Sequence, residues 1–260
     1  MKIKYFLFSN LLALSISLFY LTGCEDKTHS STSKKEILKL ATSADNPPFE
    51  FHQTTTKQIT GFDIELAHAL ADVLNIELEI QDMDFASIIP ALFSGRADFA
   101  MATFSVTEER KKSVCFSEDY YTAQPASVSL KNRSFSTQKD FEGTKIGVQL
   151  GSSYEQMMKK IAGKIKNVQL IPLNKLGELI QEVKAGRIDA AVIDIAPARA
   201  YVENNKDLQT NIIEEFQENY AIAFPKNSPW AEKFNEALKK LKTNGKLNEL
   251  ISKWFSHTSS

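Results

Sequence analysis

The chain is poor in the residues that build disulfide scaffolds and metal sites: of 260 residues, two are cysteine and four are histidine. Two cysteines cannot make a disulfide framework, and no His-x-x-x-His or comparable ligand spacing occurs, so zinc and redox chemistry have no motif and no cofactor is expected. Cys115, in Val114-Cys115-Phe116, has no partner and reads as a buried strand thiol. An excess of either charge is also missing. Lys plus Arg number 31 against 32 for Asp plus Glu, and a net charge of -1 gives no field that would hold nucleic acid or an anionic membrane face. What is present is a hydrophobic share of 43% in a chain long enough for one large core or two modest ones, which excludes a disordered or fibrous chain.

Lys2 and Lys4 open the sequence, an apolar run extends from Tyr5 to Tyr20, and Leu21-Thr22-Gly23-Cys24 closes it. The run falls short of the ~20 apolar residues a membrane span needs and is interrupted by Ser9, Asn10, Ser15 and Ser17. The segment resembles a bacterial lipoprotein signal, whose last residues precede the cysteine that receives the lipid. That resemblance implies a signal peptide over residues 1–23, lipidation at Cys24 and attachment to the periplasmic side of a bacterial membrane. Residues 24–35 are polar and aperiodic and read as a flexible tether, with His29 an exposed, solubilising residue.

From Glu36 onward, strand-like and helix-like segments alternate, the pattern of layered α/β structure. Strands are expected at residues 37–42, 76–80, 98–102, 145–149, 168–171 and 189–193. Helices are expected from Asp63 as N-cap, over 87–94 up to Gly95, from Ser152, over 176–185, after Pro197, and from Ser228 as N-cap with Pro229 at the first position. Residues 89–98 line up with residues 180–189: each has a helix end, a Gly-Arg turn and an Asp that opens a strand, Gly95-Arg96-Ala97-Asp98 against Gly186-Arg187-Ile188-Asp189. The repeat implies two similar lobes, with a cleft between them and a ligand site at the carboxyl ends of the strands. There, Thr103 and Ser105 offer hydroxyls, Thr107 can cap a helix and Arg110 presents a planar fork, a set suited to a small anion.

Several short motifs, in order along the body, carry a family resemblance: Gly61-Phe62-Asp63-Ile64-Glu65-Leu66-Ala67, Met83-Asp84-Phe85, Ser105-Val106-Thr107-Glu108-Glu109-Arg110, Gly186-Arg187-Ile188-Asp189-Ala190-Ala191 and Tyr220-Ala221-Ile222-Ala223-Phe224-Pro225. The chain resembles the polar amino-acid-binding proteins of ABC importers, in the manner of their glutamine- and histidine-binding branches. The resemblance implies a two-lobed periplasmic-binding-protein fold of type II, each lobe a mixed sheet flanked by helices, joined by a two-strand hinge. Lobe one would be residues 36–121 and 222–260, and lobe two residues 122–221. It implies a monomer that hands an amino acid to a membrane permease, with no catalysis.

Residue by residue, the resemblance makes Arg110 the clamp for the ligand α-carboxylate, helped by Thr103 and Ser105 and, from lobe two, by Ser152 and Ser153 at a helix N-terminus. Asp194 would take the α-ammonium, Phe85 would wall the ligand side chain, and Ser43 and Phe49 would belong to the first-lobe pocket. Ligand bridging Arg110 and Asp194 would favour the closed form. Two departures bear on the ligand. Ser43 stands where those branches carry an acid, and Asn46 where they carry an aromatic lid. Ser43 cannot compensate a full positive charge, so the sequence leans toward a neutral or small polar amino acid over arginine or lysine, with Asp45 left open as a substitute acid. The alternative from another class is a cyclohexadienyl dehydratase-like enzyme on the same fold, which would need Glu50, His52 or His68 as acid or base.

Overall fold

The computed structural model describes residues 35–214 and 216–256. The expected signal peptide, the lipidated Cys24 and all of the tether except Lys35 lie outside the described residues. In chain order the elements are β1 (Ile37–Thr42), β2 (Asp45–Asn46), β3 (Glu50–His52), β4 (Ile59–Thr60), α1 (Phe62–Leu74), β5 (Glu77–Asp82), α2 (Phe85–Phe93) and β6 (Phe99–Ala100). Next come β7 (Val114–Ala123), β8 (Pro125–Leu130), β9 (Lys145–Gln149), α3 (Ser153–Ala162), β10 (Gln169–Leu173), α4 (Leu176–Lys184), β11 (Ala190–Asp194), α5 (Ile195–Glu203), β12 (Leu208–Ile212), β13 (Glu218–Pro225), α6 (Ala231–Thr243) and α7 (Lys246–Phe255).

Two five-stranded sheets form the lobes, in the orders β5-β1-β6-β13-β7 and β10-β9-β11-β8-β12, and a small hairpin sheet β2-β3-β4 is added to the first. Each large sheet is mixed. In the first, β1 pairs in parallel with β5 and β6 while β13 runs antiparallel to β6 and β7. In the second, β9 pairs in parallel with β10 and β11 while β8 runs antiparallel to β11 and β12. This is the two-lobed fold of type II periplasmic-binding proteins. The chain passes from one sheet to the other at Gln124, between β7 and β8, and comes back into β13, whose Glu218 pairs with Ala123. These two crossings are the hinge.

The burial pattern explains the elements. Helix α1 buries Phe62, Ile64, Leu66, Ala67, Leu70 and Ala71 against the first sheet, and α4 buries Leu176, Leu179, Ile180 and Val183 against the second. Four helix starts differ from the sequence reading: α2 begins at Phe85 rather than at residue 87, and three others differ in their caps. Gly61, not Asp63, is the N-cap of α1, because the Asp63 carboxylate turns inward to Thr103 and Tyr120. Pro197 falls inside the first turn of α5, which Asp194 caps by accepting from the Ala196 N–H. Ser228 accepts from the Trp230 N–H in a turn before α6 rather than capping the helix itself.

Candidate functional site

The lobes meet around a small cavity whose walls come from the carboxyl ends of β9 and β11 and from the segments after β1 and β6. On the lobe-two side, Gly151 takes φ +78°, a conformation suited to glycine, and leads into Ser152, which caps α3 by accepting from the Glu155 N–H at 3.0 Å. Ser153 and Tyr154 occupy the first turn of α3, where helical N–H groups and the macrodipole favour an anion. Asp194 ends β11 and is 4% exposed. It accepts from the Ala196 N–H at 2.6 Å and from the Tyr220 hydroxyl at 2.7 Å. Burial pushes Asp194 up to about 6, against the pull of these donors. Burial and then the charge of Asp194 hold the Tyr154 and Tyr220 hydroxyls well above their ordinary value, so they remain donors near the carboxylate.

On the lobe-one side, Phe85 lines the cavity and stacks on Phe104, with ring centroids 4.8 Å apart. Arg110 lies behind this wall, its guanidinium carbon 5.4 Å from the Phe85 centroid and 4.9 Å from that of Phe104. It is 4% exposed and lines a neighbouring cavity instead. Its two terminal nitrogens donate to the Ser105 carbonyl at 2.9 Å and, across the lobes, to the Gly151 carbonyl at 3.1 Å. Burial lowers its pKa to about 10, and Glu218 acts in the opposite direction.

Glu218, at the start of the returning hinge strand, had no role in the sequence reading. Its carboxylate accepts from the Ser105 hydroxyl of lobe one and, at 2.6 Å, from the Ser153 hydroxyl of lobe two, and those two hydroxyl oxygens are 2.9 Å apart. Both serines line the cavity, yet their protons are directed to Glu218. Tyr154, Tyr220 and Gln149 were also missed as cavity residues. Tyr154 stands next to Ser153 at the helix start and Tyr220 opens one of the quoted motifs, so position alone could have flagged both.

Thus Phe85, Thr103, Ser105, Ser152, Ser153 and Asp194 come together around one cavity, with Arg110 just behind them. Ser43 and Phe49 do not join the cavity lining. Phe49 is fully buried, edge-on to Phe62, Tyr121 and Tyr220 and tilted against Phe255, because the turn after Asn46 swings its ring into the aromatic core between α1 and α7. Ser43 is 1% exposed and donates to Asp45 at 3.2 Å. Asp45 in turn accepts from the Leu176 N–H at 2.7 Å, at the start of α4, and the Tyr201 hydroxyl donates to its carbonyl. Asp45 therefore joins the lobes. Among the described residues no cluster of His, Cys, Asp and Glu is arranged to hold a metal ion, and no helix is long and apolar enough to cross a membrane.

A hinged pair of α/β lobes closing on a polar cavity is the architecture of a solute-binding protein. Residues 38–257 match the bacterial extracellular solute-binding proteins, family 3, and the chain belongs to that family. It is 41% identical to the arginine-binding extracellular protein ArtP of Bacillus subtilis (strain 168), over 95% of this chain and 96% of that protein. An ancestral arginine-binding protein solved with arginine superposes with a TM-score of 0.81 at 41% identity, covering 85% of this chain and 99% of that one. An ancestral arginine-binding protein solved with glutamine gives 0.79, again at 41% identity, with coverage of 85% and 99%. An ancestral amino-acid-binding protein described as a precursor of cyclohexadienyl dehydratase gives 0.76 at 33% identity, covering 84% of this chain and 95% of that one.

Proposed function

We propose that the protein is an extracytoplasmic receptor that captures an amino acid between its lobes and delivers it to an ABC importer, without catalysing a reaction. The observation that carries this reading is that one interlobe cavity is lined, on its lobe-two side, by both a buried carboxylate at Asp194 and the N-terminus of α3. Those are complementary partners for the ammonium and carboxylate of a zwitterion. Ligand entry would recruit Ser105, Ser153 and Arg110 from their present internal partners to the α-carboxylate, with Phe85 against the side chain.

Arginine is the first ligand to test and glutamine the second. The sequence lean toward a neutral ligand rested on Ser43, which stands off the cavity and so gives no argument against a cation. The Bacillus subtilis relative is named for arginine, and the solved ancestral proteins hold arginine or glutamine. Both ligands end in N–H donors.

We assign lobe one to residues 36–121 and 222–260 and lobe two to residues 122–221, with residues 122–123 and 218–221 as hinge positions that still pair in the first sheet, together with a lipid anchor on Cys24 after removal of residues 1–23, a periplasmic-side location and a monomeric state. None of the three candidate acid-base groups for a dehydratase lines the cavity. Glu50 is buried beneath it, His52 pairs with Asp82 at 2.9 Å outside it, and His68 is exposed on α1.

The test is a thermal-shift screen of the body from Glu36 onward against the twenty amino acids and prephenate, followed by calorimetry. A ligand that binds only the folded state raises Tm by mass action. A shift with arginine or glutamine supports the receptor reading and its ligand class. A response to prephenate alone would move the dehydratase reading to the front.

A further inference from the structure

Beneath the lobe-one floor of the cleft lie two carboxyl groups, Glu50 and Asp63, on which burial is the largest influence and which act on each other. Glu50, in β3, is 1% exposed and Asp63, in the first turn of α1, is fully buried. Glu50 Oε1 accepts from Asn46 Nδ2 at 3.0 Å. Asp63 Oδ2 accepts from the Thr103 N–H at 3.1 Å and from the Tyr120 hydroxyl at 2.8 Å. The remaining oxygens, Glu50 Oε2 and Asp63 Oδ1, are buried without a hydrogen-bond partner, and the two carboxyl groups are near enough to act on each other's titration. Two neighbouring carboxyl groups, each with an oxygen buried and unpartnered, are not both left ionised away from water, and a proton between those oxygens resolves them. One proton on Glu50 Oε2, donated to Asp63 Oδ1, satisfies both. Burial first, then the charge of Asp63, holds Glu50 well above the ordinary carboxyl range, with Asp45 adding in the same direction.

This proton has a consequence in the cleft. The Asn46 amide gives one hydrogen to Glu50 Oε1 and the other to Thr103 Oγ1 at 3.0 Å. Thr103 donates its hydroxyl to the Ala102 carbonyl at 2.7 Å and its N–H to Asp63, which holds the residue at φ +52°. Asn46 and Thr103 both line the cavity, and these donors point into the protein. What the two side chains offer a ligand is acceptors: Asn46 Oδ1 and a lone pair of Thr103.

We propose that Glu50 and Asp63 are positioning residues sharing a single proton, and that this proton fixes the Asn46 amide so that its carbonyl reads an N–H donor on the ligand side chain. The inference rests on the amino-acid-binding reading, with the α-ammonium assigned to Asp194. It names the ligand class as amino acids ending in guanidinium or carboxamide.

The proton makes a specific demand on variants. In Glu50→Gln the amide NH2 replaces the carboxyl proton toward Asp63 while Oε1 still receives Asn46, and Asp63→Asn does the same from the other side. Each single variant should bind arginine and glutamine within about threefold of wild type. In the double variant E50Q/D63N two amides meet, and turning the introduced glutamine over to relieve them turns Asn46 over as well. Its preference for arginine or glutamine over norleucine should fall at least tenfold by calorimetry. Asn46→Leu, which leaves the carboxyl pair intact, should lose the same preference and covers the case of a double variant that fails to fold. Both singles losing the preference, or Asn46→Leu keeping it, would overturn the proposal.

Infrared spectroscopy of the ligand-free protein at pH 8, where Asp194 (about 6) and Asp63 (about 7) have ionised and burial keeps the remaining proton on Glu50, gives a readout independent of binding. A protonated-carboxyl stretch should be present in wild type and Asn46→Leu and diminished in Glu50→Gln and Asp63→Asn. If wild type binds no amino acid, the receptor reading falls and the specificity role falls with it, while the infrared band still decides whether the proton is shared; absence of the band would overturn the shared proton even in a protein that binds arginine.

Discussion

In the first lobe the turn Gly95-Arg96-Ala97-Asp98 and in the second the turn Gly186-Arg187-Ile188-Asp189 join helix to strand in the same way. Asp98 exchanges two bonds with Lys39 of β1, backbone N–H to carbonyl at 2.9 Å and carboxylate from N–H at 2.7 Å. Asp189 exchanges the same two with Lys145 of β9, at 2.8 Å and 2.7 Å. The sheets behind these turns share their strand order and their division into parallel and antiparallel pairs. The lobes part company after their first parallel strand. In lobe two β9 leads straight into the N-terminus of α3, a donor face, whereas in lobe one the β2-β3-β4 hairpin intervenes and brings Asn46 and the buried Glu50 to the cleft. One plan sets the framework, and the segment leaving β1 or β9 sets the chemistry of each wall.

The largest expected effect breaks the acidic part of the lobe-two wall. Asp194→Asn removes the proposed ammonium partner, and losing one member of a desolvated charge pair costs about 2–5 kcal/mol, so amino-acid affinity should fall at least thirtyfold by calorimetry. The variant also carries a pH signature. Asp194 is raised from 3.8 to about 6, so the folded state binds more protons than the unfolded state between those values. Stability is therefore greatest below the unfolded pKa and declines as pH rises through the folded one, by on the order of 3 kcal/mol. Urea denaturation should show this decline in wild type and a flatter profile in Asp194→Asn. Wild-type ligand affinity, which needs the ionised form, should move the other way and fall below about pH 6.

The framework was far more legible in the sequence than the walls. Strands β1 and β9 and the Ser152 cap arise from local alternation and capping chemistry, which a short window carries. The Gly-Arg-x-Asp repeat carried the two-lobe plan because each lobe solves the same turn. Side-chain direction at the cleft is a different kind of information. Phe49, Ser43 and Asp45 sit in one run of seven residues, and which of them faces ligand depends on a hairpin register and on α7, some 200 residues further on. Asp63 looked like a helix cap because Asp before an apolar helical stripe normally is one. Its carboxylate instead meets Thr103 and Tyr120, 40 and 57 positions away.

A smaller effect sharpens the likeness of the lobes. Gly95 and Gly186 hold φ +71° and +66°, and a Cβ at either would meet nothing within 4 Å. An alanine there costs only the left-handed backbone, about 1 kcal/mol at each site. Matched losses in urea for Gly95→Ala and Gly186→Ala, adding in the double variant, are expected of equivalent turns. A loss confined to one lobe would show that the two turns, alike in hydrogen bonds, differ in what they support.

The smallest effect concerns the place where the lobes share a group. The Ser105 hydroxyl from one wall and the Ser153 hydroxyl from the other both donate to Glu218. Each hydroxyl has one proton, so a ligand carboxylate can claim neither while Glu218 holds both. Glu218 thus occupies the donors proposed for the ligand carboxylate, and its negative charge is the foremost one acting on Arg110. Glu218→Gln keeps the shape, removes the charge and leaves a weaker acceptor, so calorimetry should find amino-acid affinity tightened by a few-fold. Weakened affinity would mean that Glu218 instead braces Ser105 and Ser153 for the ligand, and the meeting point of the walls would then be a support rather than a competitor.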